Sequence, residues 1–334
     1  MERVFKGYIT LDPLPPSCDR FAIRRGAGQD PIPRVNGLRP SSAGGIKQES
    51  FVITVLLKCR LGNILFQYAV GRHLAIKHNT DLHLSLSSYR IQDARRVAEQ
   101  IRSFRIPATL HMDLLARLGR CVGDRFRPSD KRLYCEKHGG FDPDVLAVPD
   151  GTRLSGYFHS EKYFKDIAQT IRDELRLKIS CFDCDKDNYQ DRIANSNSVA
   201  IHIRRGDYLG TKLLNVCNMN YYSKAIAYAQ SRLRDPRFFV FSDDIEWCRK
   251  NISIAECSFV DTTPSRHKPI VDFELMRLCK HNINANSSYS WWAAWLNENP
   301  GKTVIVPNRW VNEESINALA MRDMVPEDWI RIDF

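Results

Sequence analysis

Val199-Ala-Ile-His-Ile-Arg-Arg-Gly-Asp-Tyr208 carries a short apolar run straight into two arginines, a glycine and an aspartate. An unbroken apolar run of this length reads as a strand covered on both faces, the kind that builds parallel sheets. Downstream the chain alternates. Strands are expected at Val199–Ile203, Phe238–Phe241, Ser258–Val260, Asn282–Ala285 and Thr303–Val306. Between them, helical periodicity marks Asn220–Arg234, Ile245–Asn251, Pro269–Cys279 and Tyr289–Asn297. Strand–helix repetition gives an α/β architecture with a parallel sheet, and such sheets bind ligands at the carboxyl ends of their strands. The residues after Ile203, Phe241 and Ala285 are therefore predicted to share one crevice.

Each of those ends has chemistry to offer. His202 and Arg204 lie on one strand face, because side chains alternate with period two. An imidazole and a guanidinium there suit a planar base and a phosphate, which arginine grips through paired charge-assisted hydrogen bonds. Arg205 and Asp207 complete the cluster; the competing reading is a salt-bridged strand end. After Phe241 come Ser242, Asp243, Asp244 and Glu246. Asp243 with Glu246 fits a helix cap, and a carboxylate also suits a nucleoside edge; the two roles divide between the adjacent aspartates. After Ala285, Asn286, Ser287 and Ser288 open a helix carrying Trp291, Trp292 and Trp295. Capping and anion binding use the same geometry there, so both readings stand.

The upstream half is built from fewer clear signals. Phe51–Leu57 reads as a buried strand, Leu82–Leu86 as a second, with a turn at Arg60–Asn63 and a helix reaching about His78 between them. Gly62 permits a tight turn near a ligand, and Asn63 can donate and accept. Ser103–Gly140 reads as irregular and basic, most simply a solvated surface and alternatively an acceptor-binding face. Glu161–Lys178 reads as one amphipathic helix and Ser180–Asn197 as a polar linker. Residues 1–50 hold six of the 16 prolines and six of the 17 glycines and read as a flexible arm. The expected organisation is thus an arm (1–50), an N-terminal lobe (51–195) and a C-terminal lobe (196–334).

Composition bounds the rest. With 334 residues, 43% hydrophobic and 26% charged, the chain is ordinary globular material sufficient for about two domains. No apolar run approaches the roughly 18 residues of a membrane helix, and no leader-like segment opens the chain. The net charge of +10 favours anionic partners. Basic residues are dispersed and no nucleic-acid-binding motif appears, so nucleic acid is not an expected partner. Ten cysteines without a disulfide-scaffold density suggest a reducing, cytoplasmic setting. Cys181 and Cys184 have zinc-like spacing but no second ligand pair, and read as a loop pair.

Taken together, Leu61–Ala69, Gly156–Phe164, His202–Tyr208, Phe241–Cys248, Leu278–Trp292 and Val306–Trp310 resemble the α-1,2-fucosyltransferases of glycosyltransferase family 11, and the bacterial branch in particular. The likeness covers about residues 51–330. It implies a GT-B-like fold of two Rossmann-like lobes facing a central cleft. It also implies inverting transfer of fucose from GDP-L-fucose to the 2-hydroxyl of a terminal galactose, with no metal. His202 and Arg204 then fall on the nucleotide and its β-phosphate, with Arg205 and Asp207 in the same motif. Asp243 and Asp244 fall near the guanosine, and Asn286, Ser287 and Ser288 near the pyrophosphate, with Gly62 and Asn63 beside the donor.

A fixed guanidinium aimed at the departing diphosphate supplies transition-state stabilisation, where one donor is worth about 3–4 kcal/mol. Arg204 is the residue expected to carry it. Asp207 is a candidate base, with orienting an arginine as the favoured role. One departure stands out: the family's turn places glycine and glutamine where this chain has Cys59 and Ile64. That motivates a second reading, a non-catalytic member that binds GDP-sugar or glycan. A lipid-linked acceptor would add peripheral attachment at the inner membrane.

Overall fold

The computed structural model describes residues 52–112, 132–178, 187–262 and 267–334. The expected arm, residues 113–131 of the basic stretch, and the Cys181/Cys184 pair lie outside these described residues.

β1 (Val52–Leu56) is the middle of the first sheet. It pairs in parallel with β2 (Asp81–Ser85), Val55 opposite Leu84, and with β5 (Arg153–Ser155) on its other side. β3 (Thr109–His111) and β4 (Leu133–Cys135) complete the order β3-β2-β1-β5-β4. These two edge strands fall in the stretch expected to be irregular. They are three residues long, too short to show alternation.

The helix Leu61–His78 follows β1 after only four residues. Gly62 and Asn63, expected in a turn, stand instead in its first turn. Its first four turns are buried almost all round, because one side packs on the first sheet and the other meets the second lobe. Asn79 ends it in the left-handed conformation, returning its N–H to Ala75 and Ile76 carbonyls. The helix expected over Glu161–Lys178 is in fact two short 3-10 turns and an α-helix of seven residues, Ala168–Glu174. The expected linker contains the helix Tyr189–Ala194.

The second sheet runs β11-β10-β9-β6-β7-β8, all parallel. Its strands are β6 (Asn197–Ile203), β7 (Pro236–Ser242), β8 (Cys257–Phe259), β9 (His281–Ile283), β10 (Val304–Pro307) and β11 (Ile330–Ile332). Counted within the lobe this is the order 3-2-1-4-5-6 read from one edge, the doubly wound Rossmann arrangement. β6 is buried over its last six residues, as its apolar run requires. The strand order reverses between β6 and β9, the switch point at which sheets of this kind bind ligands, and His202–Arg204 and Asn284–Ser288 follow the strand ends there.

One apolar core spans both lobes. Phe66 of the first lobe packs on Trp291 and Trp292 of the second, with ring centroids 4.5 and 4.9 Å apart. Phe164 stacks on Trp292 at 5.2 Å. Both tryptophans are fully buried, and each such ring pair adds about 0.5–1.5 kcal/mol beyond area burial. A separate cluster, including Val199, Ile201, Ile226 and Val240, covers the other face of the second sheet.

Candidate active site

The end of β6 delivers Arg204 into a carboxylate fork. Its Nη2 lies 2.5 Å from Asp207 Oδ1 and its Nη1 2.8 Å from Asp243 Oδ2. Two carboxylates on two ends of one guanidinium fix its plane. Asp243 also accepts the Arg205 main-chain N–H at 3.0 Å, which joins the tip of β7 to that of β6. A Cβ on Gly206 would come within 2.5 Å of Asp243 Oδ2, so a side chain there would displace that carboxylate from the loop.

Asp244, not Asp243, is the helix cap: it accepts the Trp247 N–H at 3.2 Å. The expected Asp243–Glu246 cap is therefore displaced by one residue, because Asp243 is occupied by the arginines. Asp244 also pairs with Arg205 Nε at 3.1 Å, and the Arg205 guanidinium lies 3.6 Å over the Trp247 ring. His202 is buried beneath Tyr289, ring centroids 5.5 Å apart. Burial, then the neighbouring Arg204 charge, pushes its pKa down to about 3, so the ring is neutral. Among the described residues its Nδ1 is enclosed without a hydrogen-bond partner, an orphan that a bound group could satisfy.

From the end of β9, Ser287 caps the helix Ser288–Leu296, its hydroxyl accepting the Tyr289 N–H at 3.4 Å. Asn286 is turned away to structural work. Its amide donates to the Leu214 and Trp310 carbonyls at 3.0 and 2.8 Å, holding two loops together. Ser288 instead reaches across the lobes, donating to Asn63 Oδ1 at 2.7 Å. Gly62 explains how the lobes come so close: its Cβ would meet the Tyr289 nitrogen at 2.5 Å. The N-termini of two helices, one from each lobe, thus converge beside Arg204. The dipoles of both helices favour an anion there.

The structure gathers His202, Arg204, Arg205, Asp207, Asp243, Asp244, Ser287, Ser288, Gly62 and Asn63 in one linked cluster, with Asn286 turned to loop carbonyls beside it. Arg60 and His159 were not among the expected site residues. Arg60 Nη2 lies 3.5 Å from Asp207 Oδ2, bringing a cation from the first lobe, and His159 Nε2 bonds Asn63 Oδ1 at 3.0 Å. Arg60 stands at the start of the expected turn and His159 inside the stretch Gly156–Phe164. Cys59, in the departing turn, has φ of 68°, the left-handed region that favours glycine. Among the described residues no group of three His, Cys, Asp or Glu is placed to hold a metal ion. Nor is any helix among them long and apolar enough to cross a membrane.

Comparison with known proteins decides the class. The model of Glycosyl transferase family 11 matches residues 145–333. The chain belongs to this family. An alpha-1,2-colitosyltransferase of Escherichia coli is 30% identical over 302 residues, covering 84% of this chain and 99% of that protein. Galactoside alpha-(1,2)-fucosyltransferase 1 of Saimiri boliviensis boliviensis is 30% identical over 171 residues, 47% of this chain and 45% of the relative. Among solved structures, the fucosyltransferase NodZ from Bradyrhizobium superposes with a TM-score of 0.50 at 12% identity, over 74% of this chain and 93% of NodZ. This family 11 chain is a glycosyltransferase with the expected GT-B architecture, and its relatives place it among fucosyltransferase-like enzymes.

Proposed function

We propose that the enzyme transfers L-fucose from GDP-L-fucose to the 2-hydroxyl of a terminal galactose in a glycan, with inversion at the anomeric carbon. The carrying observation is Arg204, gripped by Asp207 and Asp243 beside two converging helix N-termini. In the proposed reaction the acceptor hydroxyl oxygen attacks C1 of the sugar as the C1–oxygen bond to the diphosphate breaks, and the hydroxyl proton passes to water late in a loose, oxocarbenium-like transition state. Negative charge grows on the departing GDP, where Arg204, Arg60 and the helix-entrance N–H groups stand ready without reorganisation. These cations are proposed to replace a divalent ion. His202 and the Asp243–Asp244 pair are the groups proposed to face the nucleoside. Asp207 is committed to Arg204 and Arg60, so its proposed role is to hold guanidinium groups rather than to take the acceptor proton.

The relative matched over nearly its whole length is named for colitose, fucose without its 3-hydroxyl, which keeps a second donor in view. The test is purified full-length protein with GDP-fucose or GDP-colitose and lactose, in EDTA. GDP release with a 2-substituted lactose supports the proposal, and the preferred donor identifies the sugar. Arg204→Ala is expected to lower turnover about 10²–10³-fold while the protein stays folded. Full activity of that variant would overturn the phosphate role. GDP binding without product across a panel of galactosides would establish the non-catalytic reading. A lipid-linked acceptor and attachment at a membrane surface are further parts of the proposal; product formation on vesicle-borne acceptor tests them.

A further inference from the structure

We infer that His159 is a positioning residue that locks the side-chain amide of Asn63, so that its NH2 group faces the donor diphosphate; this rests on the GDP-sugar reading above. An asparagine amide is two-sided: Oδ1 only accepts and Nδ2 only donates. Two groups converge on Asn63 Oδ1, Ser288 Oγ at 2.7 Å and His159 Nε2 at 3.0 Å. An accepting oxygen needs a hydrogen from each, so Nε2 carries the imidazole proton. Desolvation, with a smaller push from Lys58, lowers the ring pKa to about 4. The ring is thus neutral near pH 7.

The imidazole is held on two sides. Tyr157 stacks on it at 5.4 Å, and Phe66 meets it edge-on at 5.1 Å. Tyr157 is itself clipped, its N–H donating to the half-buried Glu136 carboxylate at 2.7 Å. With Oδ1 held by these two groups, Nδ2 is left to donate, and among the described residues no protein group accepts from it. Asn63 stands in the first turn of its helix, three residues after Arg60 and against Ser288 at the entrance of the other helix, where the GDP-sugar reading puts the diphosphate. A donor there adds to an anion-binding surface, whereas an amide oxygen in the same place would oppose it. Without the His159 N–H, Oδ1 keeps only Ser288, and the amide is free to turn.

GDP titration of the full chain by calorimetry tests this. His159→Leu is expected to raise the GDP Kd about tenfold, the loss of roughly one hydrogen bond to an anion. His159→Gln, whose amide N–H can reach the same oxygen, stays within about twofold. Asn63→Ala weakens binding on its own, and adding His159→Leu to it changes nothing more, an outcome a merely structural histidine would not give. Wild-type affinity in folded His159→Leu, or an undiminished effect on the Asn63→Ala background, overturns the inference. Wild-type protein that ignores GDP removes the donor reading and the inference together; wild-type binding with an indifferent His159→Leu removes the inference alone. Should the leucine variant fail to fold, His159→Asn replaces it: one methylene too short, it loses affinity where glutamine keeps it.

Discussion

The Cα of Gly62 and the main-chain nitrogen of Tyr289 belong to different lobes, yet a Cβ on the first would lie 2.5 Å from the second. Backbone stands against backbone there, and no flexible side chain can yield. Gly62→Ala must push the two helix entrances apart. It is expected to destabilise the protein by about 1–3 kcal/mol, the usual range for overpacking, and to weaken GDP binding with it. Urea denaturation and nucleotide titration check both; an unchanged midpoint would show that the helices slide without cost.

Cys59 offers the opposite experiment. Its left-handed backbone costs a residue with a side chain roughly 1–2 kcal/mol, and glycine would remove that strain. Glycine's extra freedom in the unfolded chain gives back about 0.5–1 kcal/mol. Cys59→Gly is therefore expected to gain about 0.5–1 kcal/mol and to keep or raise transferase activity. A loss of stability would mean that the Cys59 thiol, 3.5 Å from the Tyr157 hydroxyl, contributes more than the strain removes.

Asp323 ties the lobes together in a pH-dependent way. Its buried carboxylate meets Lys162 at 2.8 Å, Arg322 at 2.6 Å and the Phe141 N–H at 3.0 Å. Burial alone would raise its pKa, but these partners outweigh it and bring it down to about 2. A carboxylate depressed in the folded state stabilises above its unfolded pKa of roughly 3.9 and loses that contribution as pH falls towards 2. Asp323→Asn should thus be less stable by about 1–2 kcal/mol at pH 7, a figure reduced because both cations are half in water. The gap should close between about pH 4 and pH 2. Denaturation curves at pH 7, 4 and 3 decide it; a gap constant with pH would show that the ionic form is not what matters.

Much of the second lobe is legible from residue order, for a physical reason. A strand buried on both faces needs an unbroken apolar run, and a covering helix needs 3.6-residue spacing. Val199–Ile203 and Ile245–Asn251 carry those marks clearly, and the helix ends where expected. The polar tips at Arg204, Asp243 and Ser287 then converge because parallel strands end together. The helix Ile91–Arg102 carries the same spacing, Ala94, Val97, Ala98 and Ile101 being its buried face, yet it is not among the elements expected from the sequence. What local pattern could not show is pairing across the chain. Ser288 meets Asn63, and Arg60 meets Asp207, only because two lobes dock. The same docking decides that Gly62 serves an interlobe approach rather than a turn, and that Asn286 is spent on loop carbonyls.

The aromatic seam of Phe66, Phe164, Trp291 and Trp292 carries a consequence for how the enzyme turns over and how it fails. Prising one half from the other would expose rings with no water-compatible face, so a clamshell swing is not an affordable step in each cycle. Nucleotide exchange must proceed through the breathing of surface segments around a stationary frame. By the same token neither half can melt and leave its neighbour standing, and heat or denaturant should take the whole catalytic body apart in one cooperative event.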